Sequence, residues 1–122
     1  MTFNVDVVPR DRNYAITETV VYEGREPRAW EDEDVAAVLK EIVRAIDRVV
    51  NPSADDRQVY LRGFSWIVEP SERQVLIAIE IGQGAAVAGP FDIEHARLHS
   101  MIARVVDLAK PPSPGGASSR VH

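Results

Sequence analysis

The sequence predicts an α+β fold, a two-layer sandwich in which a four-stranded antiparallel sheet carries two helices on one face. Three observations predict it. Two segments space their apolar residues as helices do, four alternate as strands do, and the order is strand, strand, helix, taken twice. Each amphipathic helix must bury its stripe on something apolar, and one face of a shared sheet supplies that surface.

Phe3, Val5 and Val7 alternate and open the first strand; Tyr14 to Tyr22, rich in β-branched and aromatic residues, forms the second. Pro9 to Asn13 supplies the turn between them. The acidic run Glu31-Asp32-Glu33-Asp34 then stands where carboxylates cap free N–H groups and complement a helix dipole, so it reads as helix initiation. The first helix runs from about Asp34 to Val50, with Val35, Leu39, Ile42, Val43, Ile46 and Val49 on one stripe, and Asn51-Pro52 stops it. Val59 to Val68 and Val75 to Ile81 are the remaining strands, joined through Glu69 to Arg73. The glycine-rich run Gly82 to Gly89 reads as a strand-to-helix connection, with Phe91 as a core anchor and Asp92 as N-cap. It lacks the Gly-Lys-Ser/Thr of a phosphate-binding loop. The second helix runs from about Ile93 to Ala109, where Leu98, Ile102 and Val105 share a face, and Lys110-Pro111-Pro112 ends it.

Sliding the chain by 61 residues, the offset from Phe3 to Phe64, also aligns Val7 with Val68, Pro9 with Pro70, Arg12 with Arg73 and Ile16 with Ile77. Trp30 meets Phe91 as a similar pair. The halves therefore read as a tandem ββα duplication, with units of about 1–51 and 57–110 in one domain spanning 1–110. A ferredoxin-like sandwich whose last strand has moved to the N-terminus has the same element order. Residues 111–122, rich in Pro, Gly and Ser, are expected to form a disordered tail.

Composition excludes several classes of function. With no cysteine there is no disulfide framework, thiolate nucleophile or Cys-based metal site. A net charge of −5 and a pI near 5.1 oppose nucleic acid and anionic lipid, and no run is apolar enough for a spanning helix. No nucleic-acid or membrane partner and no cofactor are expected, and the expected location is the cytoplasm. Twelve arginines against two lysines go with a GC-rich bacterial genome.

Among chemistry-bearing residues, His95 and His99 have the four-residue spacing of a helical ligand pair, but no third ligand is evident and no metal site is expected. Glu18 falls at an inward strand position, unless a bulge near Thr17 reverses the alternation, and there it needs a partner. Arg62, in alternation with Phe64 and Trp66, is the one expected; with Tyr14, Tyr22 and Trp66 the pair would form a polar pocket for a small ligand. The opposite sheet face carries Thr17, Thr19, Val21, Leu61, Ile67 and Leu76, an unusually apolar set for a solvated surface, which a second copy would cover. No catalytic arrangement is legible, and no segment carries a family signature. The sequence thus points to a noncatalytic, dimeric binding or regulatory module acting through protein contacts. The alternative is a small-molecule effector domain or small enzyme using the Glu18/Arg62 pocket.

Overall fold

The structure, a computed structural model, describes residues 1–52, 61 and 63–109. The expected Arg62 contact and the tail at 111–122 lie outside the described residues. The elements are β1 (Thr2–Pro9), β2 (Ile16–Val21), a 3-10 turn (Pro27–Ala29), α1 (Asp32–Val50), β3 (Ser65–Ser71), β4 (Gln74–Ile81), β5 (Gly84–Phe91) and α2 (His95–Ala109). They form an α+β fold whose antiparallel sheet runs β2-β1-β5-β4-β3.

The sheet therefore has five strands, not four. The run read as a glycine loop is the central strand, paired with β1 from Asn4↔Gly89 to Pro9↔Gly84 and with β4 from Ile77↔Ala88 to Ile81↔Gly84. Glycine, alanine and proline have low strand propensity, which hides β5 from a propensity reading. Smallness serves the site: a Cβ on Gly84 would stand 2.6 Å from the Val8 carbonyl oxygen, so only glycine lets β1 approach there. Gly89, at φ +125°, holds a backbone conformation that L side chains rarely adopt.

The fifth strand also alters the repeat. At the 61-residue offset the hairpins and helices still correspond, but the second half is βββα, with β5 where the first half has the segment leading through Pro27–Ala29. The hairpins meet β5 through different members, β1 from one and β4 from the other, which is not a twofold arrangement. Nor does this five-stranded order match the permuted ferredoxin-like alternative.

The core lies between the helices and one sheet face. Val5 and Val7 of β1, Ile77 and Ile79 of β4 and Ala86 and Ala88 of β5 are buried beneath Leu39, Ile42 and Ile46 of α1 and Leu98 and Ile102 of α2. At one end Phe91 packs on both Phe3 and Trp30, with ring centroids 5.1 Å apart in each case, so the aligned Trp30/Phe91 pair meets in space. α2 starts at His95 rather than at an Asp92 cap; Asp92 instead forms an ion pair with Arg28, Oδ2 to Nε at 2.9 Å. Arg104 binds Asp32 through two hydrogen bonds, of 3.0 and 2.9 Å, and Arg97 donates to the carbonyls of Arg28 and Trp30, tying α2 to the start of α1. Among the described residues no helix is long and apolar enough to cross a membrane.

Gly84→Ala tests the central strand directly. The added methyl would meet backbone, which cannot rotate away, so urea unfolding is expected to show a loss of about 1–3 kcal/mol. An Ala at solvent-exposed Gly82, where nothing lies within 4 Å of the added carbon, is expected to cost far less.

Candidate functional site

Side chains on a strand alternate between faces, so every core residue implies an outward neighbour. One row across the outer face runs Thr17, Asp6, Val87, Ala78, Ile67, each in register with the next. Among the described strands, the outward positions hold neither Lys nor Arg. Thr17, Thr19 and Val21 of β2, Leu76 of β4 and Ile67 of β3 lie on this face, as their alternation predicts. Leu61 does not: it is a core residue at 4% exposure, because β3 starts only at Ser65 and strand alternation does not reach back to it.

The face has two halves. On the β2 and β1 side, Thr17 Oγ1 donates to Asp6 Oδ1 at 2.6 Å and Thr19 Oγ1 to Asn4 Oδ1 at 3.2 Å, so the polar groups satisfy one another across the strands. Toward β3 the surface turns apolar, with Ile67 54% and Val87 37% exposed. The small side chains of Ala78 and Ala85 leave a shallow cavity of about 400 Å³ there, with Ile67 and Val87 beside them. Sequence reasoning missed Asn4, Asp6, Val8, Ala85 and Val87 on this face, since their significance depends on recognising β5. What the face presents is methyl groups, hydroxyls and a few carboxylates.

The five residues expected to form a ligand pocket are not gathered. Glu18 does point to the helix side, opposite Val5 in an unbroken register, so no bulge reverses it; but its carboxylate accepts from Arg48 Nε of α1 at 3.1 Å. Trp66 sits on the opposite edge strand, about 19 Å away by strand spacing, against His99 at a centroid distance of 4.9 Å. Tyr14 takes a hydrogen bond from Arg12 Nη1, and Tyr22 belongs to a separate network. His95 Nε2 is engaged by the Val68 carbonyl at 2.7 Å, and among the described residues no group of three or more possible ligands lies together.

The Tyr22 network is the polar anchor of α1. Asp34, 3% exposed, accepts from the Glu31 N–H at 2.9 Å, Tyr22 Oη at 2.5 Å and Arg25 Nη1 at 2.6 Å. Burial alone would raise its pKa; the donors from Glu31, Tyr22 and Arg25 more than reverse this and hold it at about 2. Tyr22 is pushed up to about 12, by burial first and then by its bond to the Asp34 carboxylate. Asp34 is thereby committed to closing the helix start, with three donors on its two oxygens and almost no exposure to a ligand.

Comparison with protein-family models, with curated proteins and with solved structures finds no match. The functional reading therefore rests on the geometry itself.

Because Asp34 ionises near pH 2 when folded and near its ordinary 3.8 when unfolded, its contribution to stability is complete above about pH 4 and is lost as the pH falls to about 2. Asp34→Asn is expected to cost about 2 kcal/mol at pH 7. Urea titrations from pH 7 to 2 should show the gap between wild type and variant closing over that acidic window.

Proposed function

We propose that this protein is a noncatalytic binding or regulatory module that acts through protein contacts on the outer face of its sheet, and that a second copy covers that face in a homodimer. The observation that carries the reading is a contrast between defended edges and an undefended strip at the centre of the outer face. Edge strands invite pairing, and proteins blunt them with proline and with inward-pointing charges. Here β3 carries Pro70 beside Glu69, and β2 turns Glu18 inward onto Arg48. Both lateral routes to association are discouraged. The outer face shows no such defence at its centre, where Val87, Ala78 and Ile67 form a row uninterrupted by charge.

A twofold axis would bring this strip against itself, the usual way a small domain covers an apolar sheet surface. On the polar half the Thr17 and Thr19 hydroxyls already have acceptors in Asp6 and Asn4, and the Asp6 carboxylate places that half at the wet rim of the contact. The face offers shape and apolar area, and its Thr17 and Thr19 hydroxyls are engaged by Asp6 and Asn4, which supports a binding role over a catalytic one. A protein that works this way belongs with the cytoplasmic regulatory proteins of bacteria that its composition evokes.

Light scattering on a size-exclusion column tests the reading. The expected molar mass is about twice the 13.5 kDa of the chain, reverting to a single chain in Val87→Arg, whose guanidinium would be buried at the centre of the contact. A monomeric wild type, or a Val87→Arg protein that stays dimeric, would count against the outer face.

A further inference from the structure

Where β1 ends and β5 begins, the molecule holds a second and larger cavity of about 710 Å³, a volume in the range of small-molecule sites. Phe64, Ile81 and Ala85 supply apolar wall, and Arg10, Arg12 and Glu80 supply the charged groups. The sequence gives no hint of this grouping, because Arg10 and Arg12 belong to a turn, Phe64 precedes β3, and Ile81 and Ala85 lie on either side of another turn.

Both guanidinium groups are positioned by neutral partners. The Arg10 N–H donates to the Gln83 carbonyl at 3.0 Å and its Nη1 to the Gly82 carbonyl at 3.2 Å, fixing backbone and side chain to the β4–β5 turn. The Arg12 N–H donates to the Pro9 carbonyl at 3.1 Å, its Nη1 donates to Tyr14 Oη, and the guanidinium lies 5.7 Å from the centre of the Tyr14 ring. Among the described residues Arg10 has no carboxylate partner. Arg12 has a loose one, Asp11 at 3.8 Å, with the Asp11 side chain 85% exposed. An arginine carries five N–H donors in a planar fork suited to a carboxylate, and among the described residues the Arg10 guanidinium uses one of them, on the Gly82 carbonyl.

We infer that this cavity binds a small carboxylate with an apolar body: the carboxylate meets Arg10 and Arg12, and the body lies against Phe64, Ile81 and Ala85. Glu80 limits the charge of the ligand, since it repels an anion from within the same cavity, and a single negative charge meets less of that repulsion than a phosphate dianion. The site shares Ser65, Glu80 and Ala85 with the shallower cavity of the outer face, whereas Arg10, Arg12, Phe64 and Ile81 line this one alone. A monomer in the light-scattering experiment would leave it intact.

The test uses 2-naphthoate as probe, with naphthalene-2-carboxamide as its uncharged isostere and acetate as the charge without the body. Titration of the full chain, followed by calorimetry and by backbone amide chemical shifts, is expected to show saturable one-site binding of 2-naphthoate, with shifts centred on Arg10, Phe64 and Ala85. The carboxamide and acetate should bind at least about tenfold more weakly. The double variant Arg10→Gln/Arg12→Gln, altered only at exposed side chains, should lose about tenfold or more in affinity, and Glu80→Gln should bind 2-naphthoate more tightly than wild type. Equal binding of the carboxamide, undiminished binding by the double variant, or no saturable binding up to millimolar concentrations would overturn the inference.

Discussion

The two backbone ladders of β5 are the constraint on which the rest of the structure depends. Each hairpin alone is a two-stranded ribbon, too small to be stable in water. β5 pairs with β1 on one side and β4 on the other and so joins them into one sheet broad enough to seat both helices. Its inward alanines, Ala86 and Ala88, are flanked in register by Val5, Val7, Ile77 and Ile79, so larger neighbours fill the volume that the central strand leaves. Phe91 ends the strand beneath Trp30 and Phe3, where the segment before α1 is anchored.

Polar contacts fix the helices relative to that sheet. Asp34 closes the start of α1 with three donors, from Tyr22, Arg25 and Glu31 of the connection that leads from β2, while Arg104 and Arg97 hold α2 to the same corner. These contacts gather where α1 begins, leaving the far end of the sheet, with Arg10 and Arg12, to be shaped by turns. Polar anchoring is concentrated at one end of the molecule, and the cavity inferred to bind a carboxylate lies at the other.

Much of this was legible in the chain. Helical spacing placed α1 within two residues of its observed start and found its last residue, and alternation set Val75, Ile77 and Ile79 inward and Ile67 and Leu76 outward. Alternation alone left Glu18 between an inward position and a bulge that would reverse it, and only the unbroken register settles it inward; its partner was not legible, because Arg48 is on the polar flank of a helix and only the packing of α1 on the sheet brings it to 3.1 Å. β5 escaped because the features that fit it for the centre of the sheet, glycines for close approach and alanines between bulky neighbours, are those of a loop when read by propensity. Missing it concealed half of the outer face and one wall of the arginine-lined cavity.

The proposed role follows from how this fold spends its surfaces: one face of the sheet for the core, both edges blunted, and an apolar strip left at the centre of the other face. The most direct test of that account is relaxation of methyl signals by a soluble gadolinium chelate at high protein concentration. If a second copy covers the face, the methyls of Val87 and Ile67 should be shielded, while those of Leu108, 81% exposed on α2, relax strongly. Equal relaxation at all three residues would show the face open to water and contradict the account.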